Sequence, residues 1–406
     1  MSAIKAYYFI YFTLFLVVCC VNGFMWNGDT FKRKVSLEMN PGLTPPSAAP
    51  PNVSVLHARA LGNNDTLHFL FCSGGAPALL VIHTHSAESA VEVNWPKFLS
   101  SDPADSVKVE PESSVQYRGA LVFTRLWEYD ELNSTGQSVL SPYELKDFEW
   151  DDVNKTVDYT HHTAQLCGRH ASFSSSASLC LHFSAYESSG REEAWPSLLH
   201  NANSSQLRIL LKDVMPRTNQ SHFALELQTV SEAGLQTRVN VHKSIDDEYT
   251  PSIFQVSEWV WSHDNSSSSS SSSSVVGFSQ WKPVVYQKSL PAIEDAAPCS
   301  HSEPVDLPQA PPSRIIPAYF TQNLLTHGLN VTFNVSSEPA ANSTQFLSWT
   351  MLAGIGIPPS DFFSSLVIAI MAVGLGTPLV LLVVGGVYIC ARKRKRDTLG
   401  QYESIN

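Results

Sequence analysis

The sequence predicts an all-β luminal ectodomain, formed by two packed β-sandwich-like modules, and one C-terminal transmembrane helix in type I orientation. Short runs that alternate apolar and polar residues recur over residues 53–352, and few windows show a helical period. One uncharged segment near the C-terminus is followed at once by a basic run. Ten N-glycosylation sequons lie between this segment and an apolar N-terminus.

Composition sets the limits. The chain has 406 residues and is 43% hydrophobic, which is enough for a sizeable core and suggests two or three domains. Its formal net charge is −11, and residues 24–361 alone carry 20 Lys and Arg against 35 Asp and Glu. A nucleic-acid-binding protein needs a basic face, so this balance argues against that class.

The N-terminus has the pattern of a signal peptide over residues 1–23. Lys5 supplies the positive charge, residues 6–21 form an uncharged, mostly apolar stretch, and Val21 and Gly23 fit the small-residue cleavage pattern. Cleavage would leave Phe24 as the first residue of the mature chain. The alternative is an uncleaved anchor, for which the apolar stretch is short.

The C-terminus contains the transmembrane candidate. No charged residue occurs over residues 362–391, and we expect the span at Leu366–Cys390. The basic run Arg392–Arg396 follows, and such residues stay cytoplasmic. Residues 24–361 are therefore expected in the lumen and residues 392–406 in the cytoplasm. The small-residue pair Ala372 and Gly376 favours docking of the span on another membrane protein.

The ten sequons predict a heavily glycosylated luminal surface, and none lies in the tail. They begin at Asn52, Asn64, Asn133, Asn154, Asn203, Asn219, Asn265, Asn330, Asn334 and Asn342.

The short tail has a sorting signal. Tyr402 and Ile405 form a Tyr-x-x-apolar pattern close behind the span, which predicts binding of clathrin adaptor complexes and delivery to endosomes or lysosomes. Cys390, at the cytoplasmic membrane boundary, is either palmitoylated or an unmodified thiol.

The strand pattern sets the predicted architecture. Strands are predicted at residues 53–60, 66–72, 78–83, 114–128, 178–184, 207–214, 222–230, 237–242, 252–260, 277–286, 329–335 and 345–352. This number exceeds the seven to nine strands of one sandwich, so we expect two modules with a boundary near residues 190–205. The Pro-rich stretch 290–312 is predicted to be irregular, either a long connection or an extended strap over a module.

Four cysteines fall in the luminal segment, where disulfides persist: Cys72, Cys167, Cys180 and Cys299. They allow three pairings. Proximity favours Cys167 with Cys180, which leaves Cys72 with Cys299, but spacing alone does not decide.

Catalytic and metal signals are weak. His83 and His85 share one face of a strand but lack a third ligand, and His161 and His162 point to opposite faces. The acid clusters at 147–152 and 246–248 fit solvated turns better than paired catalytic carboxylates. The sequence has no GxSxG, P-loop or GxGxxG motif. We therefore predict no catalytic residue, no metal site and no cofactor.

All 14 histidines lie in the luminal segment. If all were protonated near pH 5, its charge would rise from −15 towards −1. This suggests that an acidic organelle favours packing against a partner. The alternative is that the number of histidines is incidental.

Several longer stretches closely resemble the glycosylated lysosomal membrane protein family. They are LHARALGNNDTLHF (56–69), ALVFTRLWEYD (120–130), SIDDEYTPSIFQ (244–255), GFSQWKPVVY (277–286), LNVTF (329–333), LSWTMLAGIGIPPSD (347–361) and YESIN (402–406). The resemblance implies a type I lysosomal membrane glycoprotein that is not an enzyme. It further implies an accessory subunit of a multi-spanning transporter of the major facilitator superfamily, which exports dipeptides and is shielded from luminal proteases by this subunit. A luminal receptor or ligand-binding module is the alternative, followed by a hydrolase.

Overall fold

The computed structural model describes residues 31–43, 53–130, 138–218, 221–243, 250, 253–263, 275–321, 324–333, 345–360 and 365–400. The predicted signal peptide and the sorting residues Tyr402 and Ile405 lie outside the described residues. The chain divides into two compact units. One of them, Thr30–Ser360, contains all of the described strands and is called the β unit below.

The described part of the β unit contains 24 strands, and every pairing between them is antiparallel. In chain order they are β1 (Lys34–Met39), β2 (Val55–Leu61), β3 (Thr66–Cys72), β4 (Ala78–Thr84), β5 (Ala90–Val93), β6 (Val107–Glu110), β7 (Val115–Asp130), β8 (Ser138–Val139), β9 (Tyr143–Glu144), β10 (Glu149–Asp158), β11 (Thr163–Arg169), β12 (Ser178–Ala185), β13 (Gly190–Arg191), β14 (Leu199–His200), β15 (Ser204–Val214), β16 (Ser221–Glu232), β17 (Leu235–Lys243), β18 (Gln255–His263), β19 (Val275–Trp281), β20 (Val284–Tyr286), β21 (Ala296–His301), β22 (Val305–Leu307), β23 (Leu324–Phe333) and β24 (Gln345–Ile355).

Three α-helices accompany them in the described part of the chain: α1 (Trp95–Phe98), α2 (Ile315–Tyr319) and the long C-terminal α3 (Ser365–Gly400). The side chain of Asn94 accepts a hydrogen bond from the backbone N–H of Lys97 and so caps α1.

The strands form two large sheets. The first sheet has the order β1-β2-β3-β4-β7-β16-β23, with β8 and β9 beside the end of β7 and with β21 and β22 along β23. The second sheet has the order β10-β11-β12-β15-β24-β19-β18-β17. Strand β20 pairs with β24, and β21 pairs with both β20 and β23, so this pair of strands connects the two sheets.

The core lies between the inner faces of the two sheets. It combines Phe69 and Phe123 of the first sheet with Leu181, Leu207 and Trp349 of the second. Alternation of side chains explains these positions, since every second residue of a strand faces the same way. On β15, for example, Leu207, Ile209 and Leu211 are buried in this core, and the residues between them face outwards.

Each sheet is also covered on part of its outer face. Leu80 and Ile82 of the first sheet pack against Trp95 and Phe98 of α1 and against Ile315 of α2. This second core explains why every residue of β3 is buried, because apolar side chains are needed on both faces of that strand. On the second sheet, the hairpin β13–β14 and its flanks provide the cover, and Leu198 packs on Val260, Phe278 and Leu352.

The prediction of an all-β fold with one C-terminal apolar helix is confirmed, and each predicted strand overlaps an observed one. The chain does not separate into two sets of strands at residues 190–205, the expected boundary between the modules. Strands β12 and β15, which flank the predicted boundary at 190–205, are direct neighbours in the second sheet. Residues 290–312, predicted to be irregular, contain β21 and β22. Of the prolines in this stretch only Pro298 lies within a strand, where it is an exposed residue of β21, and β22 contains none.

The C-terminal helix is long and apolar enough to cross a membrane. Residues Ile370–Arg394 of α3 form a stretch of 25 residues, and the most apolar part of this stretch contains no buried residue. Pro378 lies inside the helix. Length and exposed apolar side chains are the features of a single membrane span.

Candidate functional surfaces

The sequon asparagines in the described residues differ in their exposure and in their position on the strands. Asn64 is exposed in the turn between β2 and β3, and Asn330 is exposed on β23. Asn154 lies in β10, the edge strand of the second sheet. The remaining positions, apart from Asn203, lie outside the described residues, and they are Asn52, Asn133, Asn219, Asn265, Asn334 and Asn342.

Asn203 is half-buried and belongs to a polar network. Its Oδ1 accepts a hydrogen bond from Nε of Arg33 over 2.9 Å. Arg33 is buried, and it also donates to Asp65 Oδ2 at 2.5 Å. An N-glycan is attached to the amide nitrogen of asparagine, so a glycan on Asn203 leaves the acceptor of this hydrogen bond in place.

Asp65 joins this network to His83, one of the two histidines considered as metal ligands. His83 Nε2 lies 3.0 Å from Asp65 Oδ2. Burial alone would raise the pKa of Asp65, but hydrogen bonds from Arg33 and His83 hold it below its ordinary value. The ring of His85 instead contacts the backbone carbonyl of Ser114. Over the described ranges, no three His, Cys, Asp or Glu side chains come together as metal ligands.

The other histidine pair and the acid clusters are not assembled into a site in the part of the structure that is described. His161 Nδ1 lies 2.8 Å from Asp158, and both side chains are exposed in the turn after β10. Residues 246–248 lie outside the described residues, and so do the side chains of Asp151 and Asp152. Within the described residues, neither the histidine pair 161–162 nor the acid clusters bring together the side chains of a catalytic centre.

Two buried carboxylates were not predicted from the sequence. Glu128 is fully buried, and its carboxylate accepts hydrogen bonds from the side chain and backbone N–H of Arg217, from Ser221 and from Tyr143. Burial, followed by the charge of Glu128, raises the pKa of Tyr143 to about 12. All of these donors bond to the same buried carboxylate. Glu128 is therefore a structural anchor that ties β7 to the start of β16.

Glu226 is the second of these carboxylates and lies on the outer face of the first sheet. It accepts hydrogen bonds from Gln228, Thr124 and Trp127, and Arg125 lies at 3.3 Å. Burial alone would raise the pKa of Glu226, but these hydrogen bonds and the charge of Arg125 hold it below its ordinary value. The carboxylate is thus ionised and fully occupied by neighbours.

Several histidines are buried with depressed pKa values. Burial, reinforced by the charge of Arg59, lowers the pKa of His57 to about 4, and burial lowers that of His68 to about 3. Burial also lowers the pKa values of His182 and His200 to about 4. Four histidines therefore stay largely neutral near pH 5, and the predicted change in charge on acidification is smaller than a count of histidines suggests.

The disulfide predicted from proximity is confirmed. Cys167 and Cys180 are bonded and lie directly opposite each other on β11 and β12. The remaining pair is not formed, because Cys72 and Cys299 are free and buried in different cores. Cys72 faces the outer layer of the first sheet, whereas Cys299 faces the space between the sheets.

The comparisons with known proteins agree with the resemblance in the sequence. The family model described as "Glycosylated lysosomal membrane protein" matches residues 54–396. A relative of that name from Danio rerio is 54% identical over 402 residues, covering 97% of both chains. "Glycosylated lysosomal membrane protein A" from Xenopus laevis is 39% identical, covering 97% of this chain and 98% of its own. The relative from Homo sapiens is 34% identical, covering 92% and 91%. The protein described here is therefore a member of the glycosylated lysosomal membrane protein family.

Proposed function

We propose that this protein is the accessory subunit of a multi-spanning lysosomal transporter of the major facilitator superfamily that carries dipeptides. Its role is to stabilise the transporter and to shield it from proteases of the lumen. The observation that supports this most is the combination of a sequon-bearing β unit with a single apolar helix. Such a chain brings a glycosylated cover to a membrane partner.

The chemistry of the β unit supports a role without catalysis. Its buried carboxylates, Glu128 and Glu226, are occupied by donors, and the described residues include no group of three metal-ligating side chains. The relatives are named as membrane proteins. A stabilising subunit needs only a stable fold, a surface for its partner and a glycan cover.

The topology follows from the same proposal. The β unit lies in the lumen, α3 crosses the membrane, and the basic run Arg392–Arg396 stays in the cytoplasm. Tyr402 and Ile405 are then presented to clathrin adaptors. Replacing both by alanine is expected to move the protein from lysosomes to the cell surface, as seen by surface biotinylation.

The decisive experiment is capture of the tagged full-length protein from lysosomal membranes in mild detergent, with quantitative mass spectrometry. One multi-spanning transporter in a ratio near one to one is expected. In cells that lack this protein, the transporter should be degraded faster, and inhibition of lysosomal proteases should restore it. Capture of the protein alone in several detergents would rule out the accessory role.

A further inference from the structure

One exposed sequon asparagine lies within a strand of the first sheet. Asn330 belongs to β23, and its neighbours Leu329 and Val331 point into the inner core, so its own side chain faces outwards. Its backbone is held on both sides, by pairing with Glu226 of β16 and by hydrogen bonds with Ser302. Within the described part of the chain, its side-chain amide forms no hydrogen bond. A glycan on this amide therefore starts at a fixed point on the outer face of the sheet.

An indole ring lies beside Asn330 on the same face. Trp127 of β7 is opposite Ala224, and Ala224 is opposite Thr332, the third residue of the sequon. The ring reaches towards Asn330, because its Nε1 donates to Oε2 of Glu226, the residue directly opposite Asn330, over 3.0 Å. Opposite residues of antiparallel strands have Cβ atoms about 4.5–5.5 Å apart. Only the side chain of Glu226 therefore separates the ring from the attachment point of the glycan.

The ring and a charged neighbour form a surface that suits a sugar. Trp127 is half-buried, and Cζ of Arg125 lies 5.8 Å from the centre of its ring. The side chain of Arg125 stays 38% exposed although it pairs with Glu144 and Glu226. One face of a pyranose consists of C–H groups, which pack on the negative face of an aromatic ring, and its hydroxyls accept hydrogen bonds from a guanidinium. An exposed indole beside an arginine offers both contacts.

The charges of this surface favour a neutral occupant. The carboxylate of Glu226 already accepts hydrogen bonds from three neutral side chains, and Arg125 is already paired with two carboxylates. A charged partner would gain little here, whereas a sugar needs only the face of the ring and a donor. A glycan on Asn330 is moreover covalently attached beside the ring, so its effective concentration there is high.

From these observations we infer that the first sugars of the Asn330 glycan pack on the indole of Trp127 and cover the outer face of the first sheet between β23 and β7. Trp127 is thus a carbohydrate-binding platform for a glycan of its own chain. The packed sugars are held away from the glycosidases of the lumen, and the strands beneath them are held away from its proteases. This inference rests on the luminal topology of the proposed function, but it does not require the transporter.

The first test measures how fast each glycan is removed from the folded protein. The full-length protein is expressed in cells that make only oligomannose glycans, purified in mild detergent and treated with peptide-N-glycosidase F. Mass spectrometry of peptides gives the rate at each occupied sequon. We expect the glycan on Asn330 to be removed about threefold to tenfold more slowly than the glycan on Asn64, which lies in an exposed turn, and at the same rate after denaturation.

A position within a strand slows the enzyme as well, so substitutions of Trp127 decide. Trp127→Leu removes the ring and is expected to raise the rate at Asn330 about threefold or more, with the rate at Asn64 unchanged. Trp127→Phe is the matched control, because it loses the hydrogen bond to Glu226 but keeps a flat ring, and its rate should stay within about twofold of the unsubstituted protein. Folding of both variants is checked by their thermal midpoints. An unchanged rate at Asn330 in folded Trp127→Leu would overturn the inference.

The second test leaves Trp127 in place, so it remains decisive if Trp127→Leu unfolds the protein. Thr332→Ala removes the sequon of Asn330, whereas Thr332→Ser keeps it. Hydroxyl-radical labelling of Trp127, measured by mass spectrometry, is expected to rise about twofold or more in Thr332→Ala and to stay unchanged in the glycosylated fraction of Thr332→Ser. Equal labelling with and without the Asn330 glycan would show that the sugars do not cover the ring, and the inference would be wrong.

The occupancy of the sequons separates this inference from the proposed function. If no sequon of the full-length protein carries a glycan, the luminal topology is wrong, and both proposals fail with it. If Asn64 is glycosylated and Asn330 is not, the topology stands and the inference about Trp127 is wrong. If both are glycosylated, the removal rates and the labelling of Trp127 decide.

Discussion

The imidazole rings of His57 and His68 meet inside the β unit, with Nε2 of His57 3.0 Å from Nδ1 of His68. The other nitrogen of His68 lies 2.9 Å from the buried Ser89 hydroxyl, which in turn lies 2.6 Å from Thr84 Oγ1. A contact between two ring nitrogens needs one donor and one acceptor, so it is lost when both rings are protonated, and burial disfavours even the first proton. Ser89 and His68 resemble part of a catalytic triad, but both are fully buried, so a substrate has no access to them.

The first prediction concerns the pH dependence of stability. The folded pKa values of these two histidines, about 4 and about 3, lie below the unfolded value near 6.5. The unfolded chain therefore binds protons first, and their contribution is greatest above about pH 6.5 and is lost as the pH falls towards 4. Each histidine contributes about 1.4 kcal/mol per pH unit in this window.

The measurement is urea unfolding of the full-length protein in detergent between pH 7.5 and 4.5. Replacing both histidines by glutamine is expected to lower stability at pH 7.5, because the hydrogen bonds are lost, and to make its decline with acidification shallower. His161→Gln is the control, because His161 is exposed in a turn. An unchanged slope in the double variant would contradict this assignment.

The pair of His57 and His68 illustrates which contacts can be predicted from the sequence and which cannot. Alternation of apolar and polar residues predicted the strands, because a strand in a two-sheet sandwich has one buried face. The same pattern does not say which strands are neighbours. His57 and His68 meet because β2 and β3 form a hairpin, but Arg33 and Asn203 are 170 residues apart in sequence.

The order of the strands in the two sheets was not predictable for a related reason. Counting strands suggested two sandwiches, since one sandwich usually has seven to nine strands. The chain forms two wide sheets, and each sheet takes strands from both halves of the sequence, as the connection from β15 in the second sheet to β16 in the first shows. The Cys167–Cys180 disulfide was accessible to prediction because its cysteines are only 13 residues apart and lie on adjacent strands.

The second prediction concerns the Glu128 anchor. Glu128→Ala is expected to destabilise the protein by about 3–5 kcal/mol, since it leaves the guanidinium of Arg217 and the hydroxyls of Ser221 and Tyr143 without their acceptor. Chemical denaturation at pH 7.5 measures the change. The control is Glu232→Ala, which breaks the more exposed Arg118–Glu232 pair and should cost at most about 1 kcal/mol. Equal effects of the two substitutions would show that burial of Glu128 is unimportant.

The third prediction concerns the thiols. Cys72 and Cys299 should react with maleimide only after denaturation, because both are buried, and burial raises the pKa of the Cys72 thiol to about 12. Cys167 and Cys180 should react only when the protein has been both denatured and reduced, because they form a disulfide. Mass spectrometry of labelled peptides distinguishes the four residues. A peptide that links Cys72 to Cys299 would contradict the structure.

Loss of the disulfide should be measurable separately. Replacing Cys167 and Cys180 by alanine is expected to cost about 3 kcal/mol, because the bond closes a loop of about 13 residues in the unfolded chain. The matched control is Cys72→Ala, which removes only one buried sulfur and should cost about 1 kcal/mol. Urea midpoints under non-reducing conditions compare the two.

The last prediction separates a glycan from a hydrogen bond at Asn203. Asn203→Gln removes the sequon and moves the acceptor away from Arg33 Nε, whereas Ser205→Ala removes the sequon and keeps the acceptor. Because Arg33 is buried, Asn203→Gln is expected to cost about 1–3 kcal/mol. Ser205→Ala should cost less, since Ser205 only donates to Ala353 O at 3.3 Å. Asn64→Gln, at an exposed turn, should leave the free energy of unfolding within about 0.5 kcal/mol. If Ser205→Ala destabilises the deglycosylated protein as much as Asn203→Gln does, the contact between Arg33 and Asn203 is not what stabilises this end of the β unit.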